Sequence, residues 1–479
     1  MSSSPATPPP YRLLIHRASQ LVTITSDPKL RLKKGANQNE LEIITNGSLI
    51  IDHHGKIVYI GDSTTQLAQF LQRTIENFEQ DFSENFENCF SQFFSRVIDA
   101  TGKSVIPGLV DAHTHPVWSG DRTHEFGMKL NGATYMDIHR MGGGIGFTVK
   151  HTRGATENEL VRLLKKRLRV MLRNGSTVVE AKSGYGLDTE NEMKMLKVIC
   201  EVNKQNLRND ENLKNDENLD EKSEEFPLMI ANFLGAHSVP KNENLTMEQY
   251  TELVIEEQLK ELIRLKQDGV IDVKLIDVFH EQGVFDTEST RKILLAGKEQ
   301  AGLKINFHGD ELHAMGSAEL GAEIGAIGIS HLEMISEEGV RQMAQHDICA
   351  VLLPTTAYVL RIEYPPARRM IDSGVPVVIA TDFNPNAHCM SLPFVMNLSC
   401  VNMRMTMAEA LVACTLNAAA SLDISDEYGS LTCGKYGDCV IVDYDNWEHL
   451  VYEIGNSSDS VIRQVIRHGR VVVDNSDKL

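Results

Sequence analysis

The chain has 479 residues, 42% of them hydrophobic and 24% charged, and a formal net charge of −19. That length is too great for one small core, so a large globular domain with a second element is expected. The acidic balance excludes nucleic acid and anionic membrane as partners, and any anionic substrate must meet a local cation.

No stretch has the apolar length of a membrane span, and the opening MSSSPATPPPYRLL lacks the apolar core of a secretory signal. Residues 1–9 read as a disordered tail. The eight cysteines (89, 200, 349, 389, 400, 414, 433 and 439) are scattered, with no C-x-x-C pair. Free thiols in a reducing compartment, the cytosol, follow from that pattern.

In chain order, residues 10–104 form the N-terminal part of a small β-domain. Within it LIIDHHGKIVYIG (Leu49–Gly61) predicts a hairpin with a His-Gly turn. A biased insert follows at 74–97, where Phe, Asn and Glu recur without a period, too polar to bury a core. From 105 to 424, apolar runs alternate with helical patterns. The runs are Val105–His115, Ser176–Ser183, Leu228–Ser238, Val270–Phe279, Leu303–Leu312, Ala326–Glu333, Ile348–Pro354 and Val375–Phe383. Thr156 with Glu159, and Thr189 with Glu192, read as capping boxes opening two of the helices. The acidic insert 203–226 holds NDENL twice and is expected to be solvated. GGGIG (Gly142–Gly146) follows a helical pattern and reads as a mobile loop rather than a dinucleotide fingerprint. Residues 425–479 return to short strands with Gly turns. Eight strand-then-helix units predict a closed (β/α)8 TIM barrel, with a composite β-sandwich built from both termini.

Chemistry in such barrels sits at the carboxyl ends of the strands. There the runs offer His113 and His115; Lys182 and Tyr185; His237; His280; His308, Asp310 and Glu311; His331 and Glu333; Thr355 and Thr356; Asp382 and Asn384. Imidazoles buried beside an apolar strand are costly unless paired. His113 and His115, two apart, share one face of an extended strand, and with His308 and Asp382 they can converge on one cation. Three imidazoles and one carboxylate suit a single divalent metal, Zn2+ first and Fe2+ second. The reaction class is metal-assisted hydrolysis or deamination. His280 reads as structural, Asp310 as an orienter of His308, and Asp111 as a ligand support or turn cap.

PGLVDAHTHPVWSGDRTHEF, KSGYGL, GAHSVP, NFHGDELH, ISHLE and TDFNPNAH resemble, in this order, the metal and substrate motifs of the imidazolonepropionase family in the amidohydrolase superfamily. The resemblance implies metal ligands His113, His115, His308 and Asp382, and catalytic roles for Glu311, His331 and Asp382. It implies substrate contacts from Arg122, Tyr185, His237, Glu311, Asn384 and Asn386. The implied substrate is the small anion 4-imidazolone-5-propanoate, opened to N-formimidoyl-L-glutamate in histidine breakdown. One departure is Asn386–Ala387, where the family pattern has Gly followed by Ser or Thr. Another cyclic amidase or an aromatic deaminase of the superfamily is the alternative, as is a non-catalytic scaffold. A dinuclear site is disfavoured, because Lys274 lies mid-run and not at a strand end. A homodimer is left open.

Overall fold

The computed structural model describes residues 9–74, 90–132, 143–215, 225–240, 245–455 and 460–475. Residues 216–224 of the acidic insert, most of the Phe/Asn/Glu stretch and the tail up to residue 8 lie outside them.

The first five strands are β1 (Tyr11–Val22), β2 (Ile43–Ile51), β3 (Ile57–Asp62), β4 (Phe94–Asp99) and β5 (Ser104–Pro107). β2 and β3 form the expected hairpin; Asp52 Oδ1 accepts from the amides of His54 and Lys56, and Gly55 takes φ +77° in the turn. β4 lies in the expected insert yet pairs parallel with β1, because Phe90 and Phe94 bury against Leu14, Tyr59 and Leu67.

Eight further strands make the barrel: β6 (Leu109–Asp111), β7 (Ser176–Lys182), β8 (Leu228–Ala236), β9 (Leu275–His280), β10 (Lys304–Gly309), β11 (Gly328–His331), β12 (Cys349–Leu352) and β13 (Val377–Ile379). Each pairs parallel with the next. A parallel bridge between Thr114 and Phe383 closes the ring, and the Thr381 amide and hydroxyl donate to Asp111 across the same seam. Asp111 is therefore a closure residue. The fold is a (β/α)8 TIM barrel.

Three C-terminal strands, β14 (Cys439–Val442), β15 (Ile462–Arg467) and β16 (Arg470–Asp474), return to the first sheet. Its order is β16-β15-β14-β5-β1-β2-β3, with β4 also beside β1, so both termini build one β-domain. The first predicted run thus divides. Ser104–Pro107 belongs to the terminal sheet, and the barrel begins at Leu109. Gly108 sits at the division because a Cβ there would stand 2.3 Å from Thr177 Oγ1.

The helix Glu157–Arg173 carries the predicted Thr156–Glu159 capping box. The second box does not form. Asp188 receives the Asn191 amide at 2.7 Å, and Glu192 turns inward to accept from the amides of Gly184, Gly186 and Leu187. That helix, Thr189–Asn215, continues into the region expected to be a solvated insert. Asn206 there exchanges two hydrogen bonds with the backbone of Phe226, which is core. In the glycine run, Gly144 (φ +76°) opens the helix Ile145–Gly154, so residues 144–146 are a helix start and not a loop.

Candidate metal centre and active site

His113 and His115 leave β6 just beyond its carboxyl end, and His308 lies on β10. One nitrogen from each lies within 4.8 Å of the other two, and this is the one such set of His, Cys, Asp and Glu among the described residues. Asp382, just past β13, places Oδ1 3.4 Å from His113 Nε2 and 3.6 Å from His115 Nε2. It stands outside the mutually close set with His308. Its other oxygen accepts from the Thr356 hydroxyl.

Burial first, and neighbouring cations and imidazoles next, push His113 and His115 well below the ordinary histidine range. They face Asp382 as neutral rings, so these contacts are not ion pairs. His113 Nδ1 is engaged with Ser330 Oγ at 2.8 Å, and its Nε2 is buried with no hydrogen-bond partner among the described residues. His308 Nδ1 donates to Asp277 Oδ1 at 2.9 Å, which leaves Nε2 as the nitrogen that could face an ion. Ring nitrogens and a carboxyl oxygen that converge this closely fit a cation, which these residues could hold.

Beneath the imidazoles lies a buried charge network. Lys182 Nζ donates to Glu180 Oε1 at 2.5 Å and to Asp277 Oδ2 at 2.7 Å. Glu180 also accepts from the amide of Thr114, the residue between the two β6 histidines. One connected set therefore anchors both β6 and β10. Burial alone would raise Asp277, yet His308 and Lys182 hold it at about 2. Asp277, not Asp310, orients His308; Asp310 instead accepts from the amides of Met315 and Ser317. Sequence reasoning missed Asp277 and Glu180. The signal was present: an acid inside an apolar barrel run, as in LIDVFH, carries the same burial cost as a histidine. His280 is structural, bonded to Ser317 Oγ and Thr287 Oγ1.

Around this centre the other sequence-chosen residues divide. His237 stacks on His115 with centroids 5.2 Å apart, and Tyr185 packs 5.2 Å from His237. The Glu192-pinned loop positions both, since His237 Nδ1 meets Gly184 O at 2.9 Å. Burial lowers His237 to about 3. His331 packs against His113 and His308, and its Nε2 stands 3.7 Å from Glu311 Oε2. Burial raises Glu311 to about 8, reinforced by Asp382 and Glu281.

Arg122 is buried, and Glu125 accepts from its Nε at 2.8 Å and pairs with its Nη2 at 2.7 Å. Asn384 is occupied within its own loop. Its Oδ1 accepts from the amides of Asn386 and Ala387, and its Nδ2 donates to Asp382 O. The loop thereby holds its shape with Asn386–Ala387 in place. The Asn386 amide is already used, and its side-chain oxygen accepts from Lys129.

A model of the amidohydrolase family matches residues 104–472. Relatives align over almost the whole chain. A probable imidazolonepropionase of Nematostella vectensis is 48% identical over 466 residues, covering 96% of this chain and 98% of its own. One of Homo sapiens is 47% identical, with the same two coverages, and one of Dictyostelium discoideum 49%, covering 98% and 99%. Among solved structures, a zinc-bound adenosine deaminase from Xanthomonas campestris shares the fold at TM-score 0.65. It is 15% identical and covers 99% of this chain and 95% of its own. E. coli guanine deaminase does so at TM-score 0.62 and 16% identity, covering 96% and 98%. The chain belongs to the imidazolonepropionase family of amidohydrolases.

Proposed function

We propose that the chain hydrolyses the ring amide of 4-imidazolone-5-propanoate to N-formimidoyl-L-glutamate, a step of histidine degradation. The observation that carries the chemistry is the convergence of His113, His115 and His308 beside Glu311 and His331 at the carboxyl ends of the barrel strands. The substrate comes from the near-full-length relatives, which bear the name probable imidazolonepropionase.

His113, His115, His308 and Asp382 would hold one divalent ion, Zn2+ in preference to Fe2+. When bound, the ion supplies Lewis acidity and lowers the pKa of water towards about 7. Arg122 takes the propionate through the edge of its guanidinium that Glu125 leaves open, since the acidic chain needs a fixed local cation for an anion. Tyr185 and His237 flank the ring, and the Asn384–Asn386 loop meets the carboxylate end of the product. Water oxygen bonds to the ring carbonyl carbon, the carbon–nitrogen bond breaks, and the freed nitrogen gains a proton. Asp382 collects the proton from water, and His331 stabilises charge on the carbonyl oxygen. Glu311, held as the acid near neutrality by burial, donates to the departing nitrogen. We place the chain in the cytosol, in keeping with its free thiols among the described residues.

Incubation with freshly prepared 4-imidazolone-5-propanoate, followed by mass, should yield N-formimidoyl-L-glutamate, with no turnover of guanine or dihydroorotate. Turnover of either control and none of the imidazolone would replace this reading with another amidohydrolase activity.

A further inference from the structure

The scheme above leaves one buried acid without a task. The Glu333 side chain is 2% exposed, and neither carboxyl oxygen has a hydrogen-bond partner among the described residues. Leaving such a group unpaired costs on the order of 1–3 kcal/mol or more. Glu333 Oε2 stands 3.9 Å from His331 Nδ1, and that nitrogen is likewise buried without a partner. The opposite edge of the same ring faces Glu311. Among the described residues the one basic side chain within 4 Å of the carboxyl is His331.

The backbone supports a built contact. His331 and Leu332 take φ +79° and +68°, two successive left-handed residues that are not glycine. Each such residue costs about 1–3 kcal/mol and persists only where its surroundings impose it. Here the Leu332 amide donates to Gly309 O and the Met334 amide to Asp310 O, pinning the turn to the end of β10. The turn brings residue 333 back beside the ring of residue 331.

We propose that Glu333 is a positioning residue for His331: its carboxyl group, which faces Nδ1 in the free chain, already holds the ring with its N–H on Nε2, and it closes on Nδ1 when substrate binds, so that Nε2 faces Glu311 and the reacting carbonyl oxygen. This rests on the hydrolysis proposed above. A separation of 3.9 Å is too long for a hydrogen bond, and catalytic hydrogen bonds that are long in the free enzyme tighten on binding. Burial, with Glu311, Asp382 and Glu281 adding like charge, keeps Glu333 well above the usual carboxylate range. Its O–H is then the donor, and Nδ1 the acceptor. The strand-end histidine thereby presents a donor, not a lone pair, where oxyanion charge develops.

Glu333→Leu should lower kcat by roughly 10- to 100-fold, with metal content and melting temperature retained. KM should stay within about threefold, because the contact acts in the transition state. Glu333→Gln keeps an N–H donor and should restore kcat to within about fivefold of the native chain. In a His331→Asn background, Glu333→Leu should cost nothing further. Independently of turnover, ring-15N histidine NMR, with the His331 signal identified by its absence in His331→Asn, should show the proton on Nε2. In Glu333→Leu it should show mixed tautomers. The proposal is overturned by native turnover in Glu333→Leu, by a Gln variant no better than the Leu variant, by an equal loss in the His331→Asn background, or by a tautomer that does not respond. If the native chain ignores 4-imidazolone-5-propanoate, the hydrolysis reading fails, and the tautomer measurement still decides the pair.

Discussion

His308 can offer Nε2 to an ion only because its other nitrogen is committed to Asp277, which Lys182 holds from the far side. Replacing Asp277 by Asn removes the charge that Lys182 answers and weakens the tautomer lock. Chelator competition should show metal affinity lowered by about 10- to 100-fold. Denaturant unfolding should show a loss of about 3–5 kcal/mol, because Lys182 is left with Glu180 alone. Unchanged affinity would assign the orientation of His308 to something else. Arg122 acts on binding. Its replacement by Met removes one charge-assisted pair of about 1.5–3 kcal/mol, so KM should rise roughly 10- to 100-fold with kcat little changed. A selective fall in kcat in steady-state assays would move Arg122 from binding into the chemistry.

At the scale of elements, the first crossing from the terminal sheet to the barrel is a single residue. Gly108 donates its amide to Asp438 O and lies against Thr177, where no Cβ fits. Gly108→Ala should destabilise the chain by about 1–3 kcal/mol through overpacking, measured by thermal or denaturant unfolding. Lys435 gives the sheet a pH signature. It is buried, its Nζ reaches only Tyr428 O at 3.4 Å among the described residues, and burial lowers it to about 8. Its native pKa lies below its unfolded value, so its contribution is present above about pH 10.5 and is lost as pH falls through about 8. Lys435→Met should therefore be more stable than the native chain by about 1–3 kcal/mol at pH 7, an advantage that shrinks by pH 10. An equal gain at both pH values would show that charge burial is not its cause.

Much of this level was legible in the sequence. Each of the eight apolar runs holds a barrel strand, and the H-x-H pair pointed to the site because buried imidazoles need a reason. The division at Gly108 was not legible, because both halves of the run are apolar and only three-dimensional pairing separates them. Thr189–Glu192 matched the spacing of a capping box, but the loop's orphan amides at Gly184, Gly186 and Leu187 competed for the same carboxylate and won. The Glu180–Lys182–Asp277 network escaped for a related reason. Two of its members lie on β7 and one on β9, and spacing along the chain says nothing about contact across a barrel.

For the whole molecule, an acidic chain of net charge −19 concentrates neutral imidazoles, buried acids and one paired arginine at one end of its barrel. Strand connectivity puts them there, and the closing seam from Asp111 to Thr381 keeps β6 and β13, and hence His113, His115 and Asp382, in register. We propose that these groups surround one ion. Elemental analysis of purified, folded protein tests it most directly. One divalent ion per native chain, and none in folded His308→Ala, is the predicted result; folded, active protein with no stoichiometric metal would contradict it.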